Sequence, residues 1–457
     1  MNKLSRLGSP EQNAVRASEG EAPMRHNLGR VIAIIVCTCI AFLQAASAQE
    51  IDEADRGYAL CSGDSLSDCP GGAKQALQDR GISLDVWLTQ FSQGVTAGDG
   101  SKSWQYGGKA DLIVNLDMSK LGLWNGFSIN VHQEGIFGED ANNPGSGELF
   151  PFNTALAFPR LGGSDGETAL TLKQTFDDRS SLALGKFNML SVAAKKPLAG
   201  GGGLDTFMNI ALAAPISGVT PPYLFGFIGT HKTDHAALAL MVYDPRNAQD
   251  KNVIENPFSD GTTTSLAAMF PLTIAGEKGF YSVRGVYSSK RGLNLETIPA
   301  LIDLPPEAQS VLVKKGYWYL SAAVQQYLYH YPGNPDLGWG LFAEGAISDG
   351  NPNPLEWHFL VGLAGQGLFP SRTQDRWGIA YFKYGLSEHL VNGLAQIGST
   401  MPFDPTFFIG AERGVEAFYN FYVTPWLRLT GDVQRVKPHE LSRDDVTVGA
   451  VRLQIRF

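Results

Sequence analysis

Apolar and polar positions alternate in short bursts along most of this chain, and the last burst is the clearest. In Val451-Arg452-Leu453-Gln454-Ile455-Arg456-Phe457, the residues Val451, Leu453, Ile455 and Phe457 share one face of an extended strand. Arg452, Gln454 and Arg456 share the other. The same period recurs upstream, with Ala110, Leu112, Val114 and Leu116 opposed to Lys109, Asp111, Asn115 and Asp117. Phe127, Ile129 and Val131 oppose Asn130, His132 and Glu134. Tyr281, Val283 and Tyr287 flank Arg284, and Leu427, Leu429 and Val433 oppose Arg428, Asp432 and Gln434.

Reading the period along the chain predicts sixteen strands. The first eight lie near 82–92, 105–117, 125–137, 168–176, 181–188, 223–230, 235–243 and 262–270. The others lie near 279–288, 316–329, 338–347, 356–365, 376–386, 414–424, 426–436 and 446–457. Each is close to the ~9–11 residues that cross a bilayer as a tilted strand. Short links (Asp177 to Ser180, Thr230 to Asp234, Thr424-Pro425-Trp426) alternate with long ones at 138–167, 189–222, 289–315 and 387–413. Short turns on one side and long loops on the other are the pattern of an outer-membrane barrel. The expected fold is therefore all-β: a transmembrane antiparallel β-barrel of about sixteen strands, preceded by a short periplasmic helical segment. A Lys or Arg facing lipid at mid-depth would cost ~2–4 kcal/mol, so the charged faces are expected to look into a water-filled interior. Tyr317, Trp318, Trp357, Trp377, Tyr381 and Trp426 fall near strand ends and suit interfacial aromatic girdles.

The N-terminus sets the compartment. Arg25, His26 and Arg30 precede an apolar run from Val31 to Phe42, followed by Ala46-Ser47-Ala48. This is the layout of a secretory signal peptide, too short in its apolar part to span a bilayer. The expected organisation is a signal peptide at 1–48 (with Met24 as an alternative start), an N-terminal periplasmic segment at 49–81, and the barrel at 82–457. The mature chain keeps 31 basic and 42 acidic residues, a formal charge of −11, which argues against nucleic acid as a partner. Cys61 and Cys69 remain as an even pair in an exported chain and are a disulfide candidate, with two free thiols as the alternative.

The sequence has no His-Glu-x-x-His and no phosphate-binding loop ending in Lys-Ser/Thr. The histidines are scattered. No catalytic residue, metal ligand or cofactor is assigned. By strand parity, the pore-lining and substrate candidates are Lys109, Asp111, Glu134, Lys186, Arg284, Glu344, Arg428, Asp432 and Arg452. Lys173, Gln325 and Glu416 share that parity. Arg284, Lys186 and Glu134 are the expected narrowing groups. Gly200 to Gly203 in the link 189–222 let backbone bend close to the barrel wall, or else belong to a mobile external loop.

Several segments also resemble the carbohydrate-selective porin family of the OprB type. They are Tyr106-Gly107-Gly108-Lys109-Ala110-Asp111 leading to Leu121-Gly122-Leu123-Trp124-Asn125-Gly126, then Arg376-Trp377-Gly378-Ile379-Ala380-Tyr381. The most specific runs from Glu416 through Tyr422-Val423-Thr424-Pro425-Trp426-Leu427 to Asp432-Val433-Gln434. Gly72 to Leu84 resembles the short helix and first strand with which the family begins. The Cys61 to Cys69 stretch and the glycine run have no counterpart in it. The resemblance implies a bacterial outer-membrane location and passive, substrate-selective diffusion of carbohydrates, monosaccharides first. A general non-specific porin and, less favoured, an outer-membrane barrel enzyme stay open. The implied partners are sugar solutes, outer-membrane lipid and the barrel-assembly machinery through Phe457, with the chain a monomer or a homotrimer. Glu416 and Asp432 are expected to pair with lumen arginines.

Overall fold

The computed structural model describes Ser65 and residues 73–302, 312–332, 334–400 and 404–457. The proposed signal peptide and both Cys61 and Cys69 lie outside the described residues. A short helix, Ala73–Asp79, leads into β1 (Ile82–Ala97), β2 (Gln105–Asp117), β3 (Phe127–Gly138) and β4 (Gly166–Thr175). Then come β5 (Ser180–Asn188), β6 (Tyr223–Lys232), β7 (Ala237–Tyr243) and β8 (Thr263–Ile274). β9 (Glu277–Leu293), β10 (Val313–Tyr331), β11 (Asn334–Ser348) and β12 (Leu355–Gln366) follow. The chain ends with β13 (Arg376–Leu386), β14 (Glu412–Thr424), β15 (Leu427–Lys437) and β16 (Val446–Arg456). Each strand pairs antiparallel with its sequence neighbours, and β1 pairs with β16, so the sixteen strands form one closed barrel. Every segment expected from the alternation lies on a strand. Several, such as β1, β9 and β10, run further than expected at their long-loop ends, because paired hairpins continue past the apolar band.

Local chemistry explains the links. β8 and β9 are joined by Ala275 and Gly276 alone, both at positive φ (54° and 85°), the conformation that matches a two-residue turn to the twist of its strands. The other links at that end are also short, whereas the opposite end carries 139–165, 189–222, 244–262, 294–312 and 387–411. No helix among the described residues is long and apolar enough to cross a membrane.

The seam shows why the final strand reads so clearly. Val451, Leu453 and Ile455 point outward, while Arg452, Gln454 and Arg456 sit opposite Phe91, Thr89 and Trp87 on the inner face. Phe457 N–H donates to Val86 O at 2.9 Å, and Lys74 of the leading helix donates to Phe457 O at 3.2 Å. Backbone groups left unpaired in hydrocarbon cost several kcal/mol each, so closure is obligatory rather than incidental. Trp318 and Trp357 stay outward and exposed, as girdle residues should. Tyr317 does not: β10 turns it inward, where it packs beside Val219 and Tyr319.

One short link is held by a carboxylate. Asp375, buried between β12 and β13, accepts two bonds from Arg372 (2.8 and 2.9 Å), one from Tyr419 O–H (2.8 Å) and one from Tyr422 N–H (2.9 Å). Burial raises its pKa, but these donors outweigh it, and the carboxyl titrates below the ordinary aspartate value. A depressed native pKa stabilises the fold above the unfolded value and loses that contribution as pH falls through the native one. Asp375→Asn should therefore lower barrel stability by about 1–3 kcal/mol at neutral pH. It should also flatten the acid limb of the stability profile, measured by urea unfolding in detergent at pH 7 and pH 3. An unchanged midpoint at pH 7 would refute it.

Candidate functional site

Link 189–222 is an inward loop. It leaves β5 and reaches the inner wall on the opposite side of the ring. Asn188 and Asn209 start single helical turns by accepting from Leu190 N–H and Ala211 N–H, both at 3.0 Å. Between those turns Gly200 to Gly203 are buried. Gly203 has φ of 84°, and a Cβ there would lie 2.9 Å from Thr154 Cβ, so the bend admits only glycine. The far wall then grips the loop. Glu416 of β14 accepts Met208 N–H and, at 3.1 Å, Asn209 N–H. Arg452 of β16 donates to Gly203 O and Thr206 O, each at 3.0 Å. Gln434 accepts from Asn209 Nδ2 at 3.1 Å, and Asn420 donates to Asp205 O at 3.1 Å. On β10 and β11, Gln325 accepts from Leu198 N–H at 2.8 Å, and Lys196 meets Glu344 at 3.1 Å.

An apolar seal backs these polar anchors. Phe207, Ile210, Ala211 and Leu212 of the loop pack with Phe150, Phe152 and Phe158 of link 139–165. They rest on inward residues of the wall, among them Phe342, Leu360, Phe382, Phe418 and Val436. The interior of β11–β16 is thus partly a protein core, not a uniformly wet surface.

This changes the reading of several lumen candidates. Lys109, Asp111 and Glu134 face inward, as parity predicts, but they are buried, not water-facing. Lys109 Nζ contacts Glu134 and lies 3.8 Å from Asp111, which also bonds His132 at 2.8 Å. Asn188 and the Tyr223 hydroxyl donate to Glu134. Asp111, His132 and Glu134 bring ligand atoms within 4.8 Å of one another, yet the Lys109 ammonium already takes up both carboxylates, so the donor set does not suit a metal. Asp432 and Arg452 are likewise buried beneath the loop. Arg452 lies close enough to act electrostatically on Glu416 and Asp432, but their direct partners are others: Glu416 holds backbone N–H groups, and Asp432 accepts from Gln434 at 3.1 Å. The reason is common to all of them. Strand parity assigns a side of the wall, and the folded loops decide whether that side meets water.

The other candidates are held by partners as well. Arg284 donates to Ser265 Oγ at 3.0 Å and Thr220 Oγ1 at 2.7 Å, with its guanidinium 6.0 Å from the Tyr319 ring centre. Glu344 lies between Lys196 and His358, the latter at 3.6 Å. Lys186 pairs with Glu167, both largely buried. Nearer the short-turn end, Arg376 pairs with Asp205, and Arg428 lies 3.9 Å from the same carboxylate. Arg428 stands 5.7 Å from the Tyr422 ring and Arg456 5.1 Å from Trp87, their side chains 24% and 30% exposed. Guanidinium groups, carboxylates and aromatic rings thus stand side by side on the inner wall and the inward loop.

The family profile described as "Carbohydrate-selective porin, OprB family" matches residues 101–457. The chain belongs to that family. Among solved structures, the high-pH form of Pseudomonas putida OprB superposes with a TM-score of 0.73 at 18% identity, covering 88% of this chain and 100% of that one. This likeness shows the shared fold. The low-pH form of the same protein gives 0.49 at 16% identity (87% and 99% covered). Salmonella typhi OmpF in complex with daunomycin gives 0.49 at 10% identity (83% and 98% covered). No curated relative matches the sequence. Family and fold together make this protein a bacterial outer-membrane porin through which sugars diffuse passively, a channel rather than an enzyme.

Sequence reasoning overlooked several residues that shape the porin's interior. Lys196, Asp205 and Thr220 sit on the inward loop, where no strand parity applies. Trp87 and Tyr319 were readable: each is an aromatic on the same face as a polar neighbour two residues away, Thr89 and Ser321 respectively.

Proposed function

We propose that this porin favours neutral sugars, monosaccharides first, over amino acids and salts of similar size, and that Arg284 is one of the groups that discriminate. The observation supporting this reading is the Arg284 environment: a guanidinium tied to Thr220 of the inward loop and stacked near Tyr319. Fixed donors offer hydrogen bonds to hydroxyls, and the adjoining ring offers a face for sugar C–H groups. Glu344 with Lys196, and Asp205 with Arg376, add opposite charges, so the edge is mixed in sign. A single-sign ring would select ions instead. Lys186 and Glu134 remain proposed as narrowing groups acting through their ion pairs, since both are largely buried. Assembly through Phe457 by the barrel-inserting machinery belongs to the same reading.

Liposome swelling with a panel of sugars, amino acids and anions is the test. Sugars should enter faster than size predicts, and Arg284→Ala should speed entry of all solutes while narrowing the sugar preference. Uptake ranked by size alone in the unmodified porin would leave a general, non-specific pore.

A further inference from the structure

The outer wall holds a feature that sugar passage does not use. On β14 the outward residues Val415, Ala417, Tyr419, Phe421 and Val423 form an apolar strip. At ~3.4 Å per residue and a tilt near 40° it covers roughly 20 Å of depth, close to the apolar band expected of such barrels. At its long-loop end the next outward residue is Arg413. β13 behaves alike: Trp377, Ile379 and Tyr381 lead to Lys383. On β15, Leu427, Leu429, Gly431 and Val433 lead to Arg435 and then Lys437.

These cations are direct neighbours. The strand register sets Arg413 opposite Lys383 on one side and opposite Lys437 on the other. Like charges directly across a strand pair are destabilising, so three in a row call for an anion. No carboxylate among the described residues pairs with any of the three. Asp445 is taken by Arg435 at 3.2 Å and Glu440 by Arg443 at 3.1 Å. Lys437 donates to a backbone carbonyl, that of Arg443. Lys383 lies 5.4 Å from the Trp357 ring, and Arg413 is exposed, with no ion pair or hydrogen bond among the described residues.

We propose that Lys383, Arg413 and Lys437 bind the phosphate-bearing headgroup of a lipid in the external leaflet. Position and charge both select this occupant. The cations stand just past the apolar strip, at the depth of a headgroup whose acyl chains run down that strip. A planar guanidinium flanked by two ammonium groups suits a phosphate monoester. The site is separate from the channel, so its failure would leave the proposed sugar selectivity untouched.

The test uses the purified mature porin in detergent micelles, titrated with bisphosphorylated lipid A, the same lipid stripped of phosphate, and inorganic phosphate. Tight binding of the phosphorylated lipid alone is expected. The double variant Lys383→Gln/Arg413→Gln should bind it about thirtyfold more weakly, roughly fivefold per cation removed. Heat-modifiable mobility and sugar conductance should stay unchanged. Should the double variant fail to fold, Arg413→Gln alone should show the fivefold loss. Equal affinity in variant and parent, equal binding of the stripped lipid, or an equal response to inorganic phosphate would each overturn the proposal.

Discussion

Replacing Glu416 with alanine is expected to raise single-channel conductance and current noise and to erode solute discrimination. Glu416 is fully buried on β14 and accepts the backbone N–H groups of Met208 and Asn209 at the tip of the inward loop. Removing it orphans two buried donors, at about 1–3 kcal/mol each. It also frees Asp432 and Gln434 from the arrangement that holds Asn209 and Phe152. The apolar seal around Phe207 keeps part of the loop in place, so the barrel itself should persist, with its heat-modifiable mobility intact. Glu416→Gln retains one carbonyl acceptor and should fall between parent and alanine variant. Planar-bilayer recordings check this. Identical conductance in the parent and Glu416→Ala would mean that the loop does not set the bore.

Deleting Phe457, or replacing it with aspartate, should cut the amount of folded porin in the outer membrane several-fold. The residue closes the seam through its N–H to Val86 O, and its carbonyl receives Lys74 of the leading helix. Losing it frays the pairing of β16 with β1 at the end where β1 begins and β16 finishes, and leaves carbonyl groups unpaired near lipid. Aspartate keeps the backbone bond but removes the aromatic, so comparing the two variants separates seam closure from recognition of the terminal ring. Outer-membrane fractions probed by heat-modifiable mobility supply the readout. Normal levels of both variants would contradict the assignment.

The two predictions rest on different kinds of information. Phe457 was legible in the sequence because the terminal strand declares itself through seven consecutive residues, and closure is a rule of barrels. Glu416 was placed on the inner face by the same rule, yet what it holds lies 208 residues away. Nothing local in the chain announces that contact. Gly200 to Gly203 marked the loop as able to bend, but glycine permits a conformation without choosing where the chain goes.

By itself the sequence determined sixteen strands, their order, the two ends of the barrel and the side of the wall on which each charge stands. These follow from a period of two residues and from the cost of a charge in hydrocarbon, which are local quantities. Only the tertiary structure decided that Lys109, Asp111, Glu134, Asp432 and Arg452 are buried, while Arg284, Arg428 and Arg456 stay partly exposed. It also set Arg413 between two other cations on the outer wall. The physical reason is that burial depends on which distant segment covers a side chain. In this porin the covering segments are loops, whose path is fixed by packing across the lumen and not by any periodicity of their own.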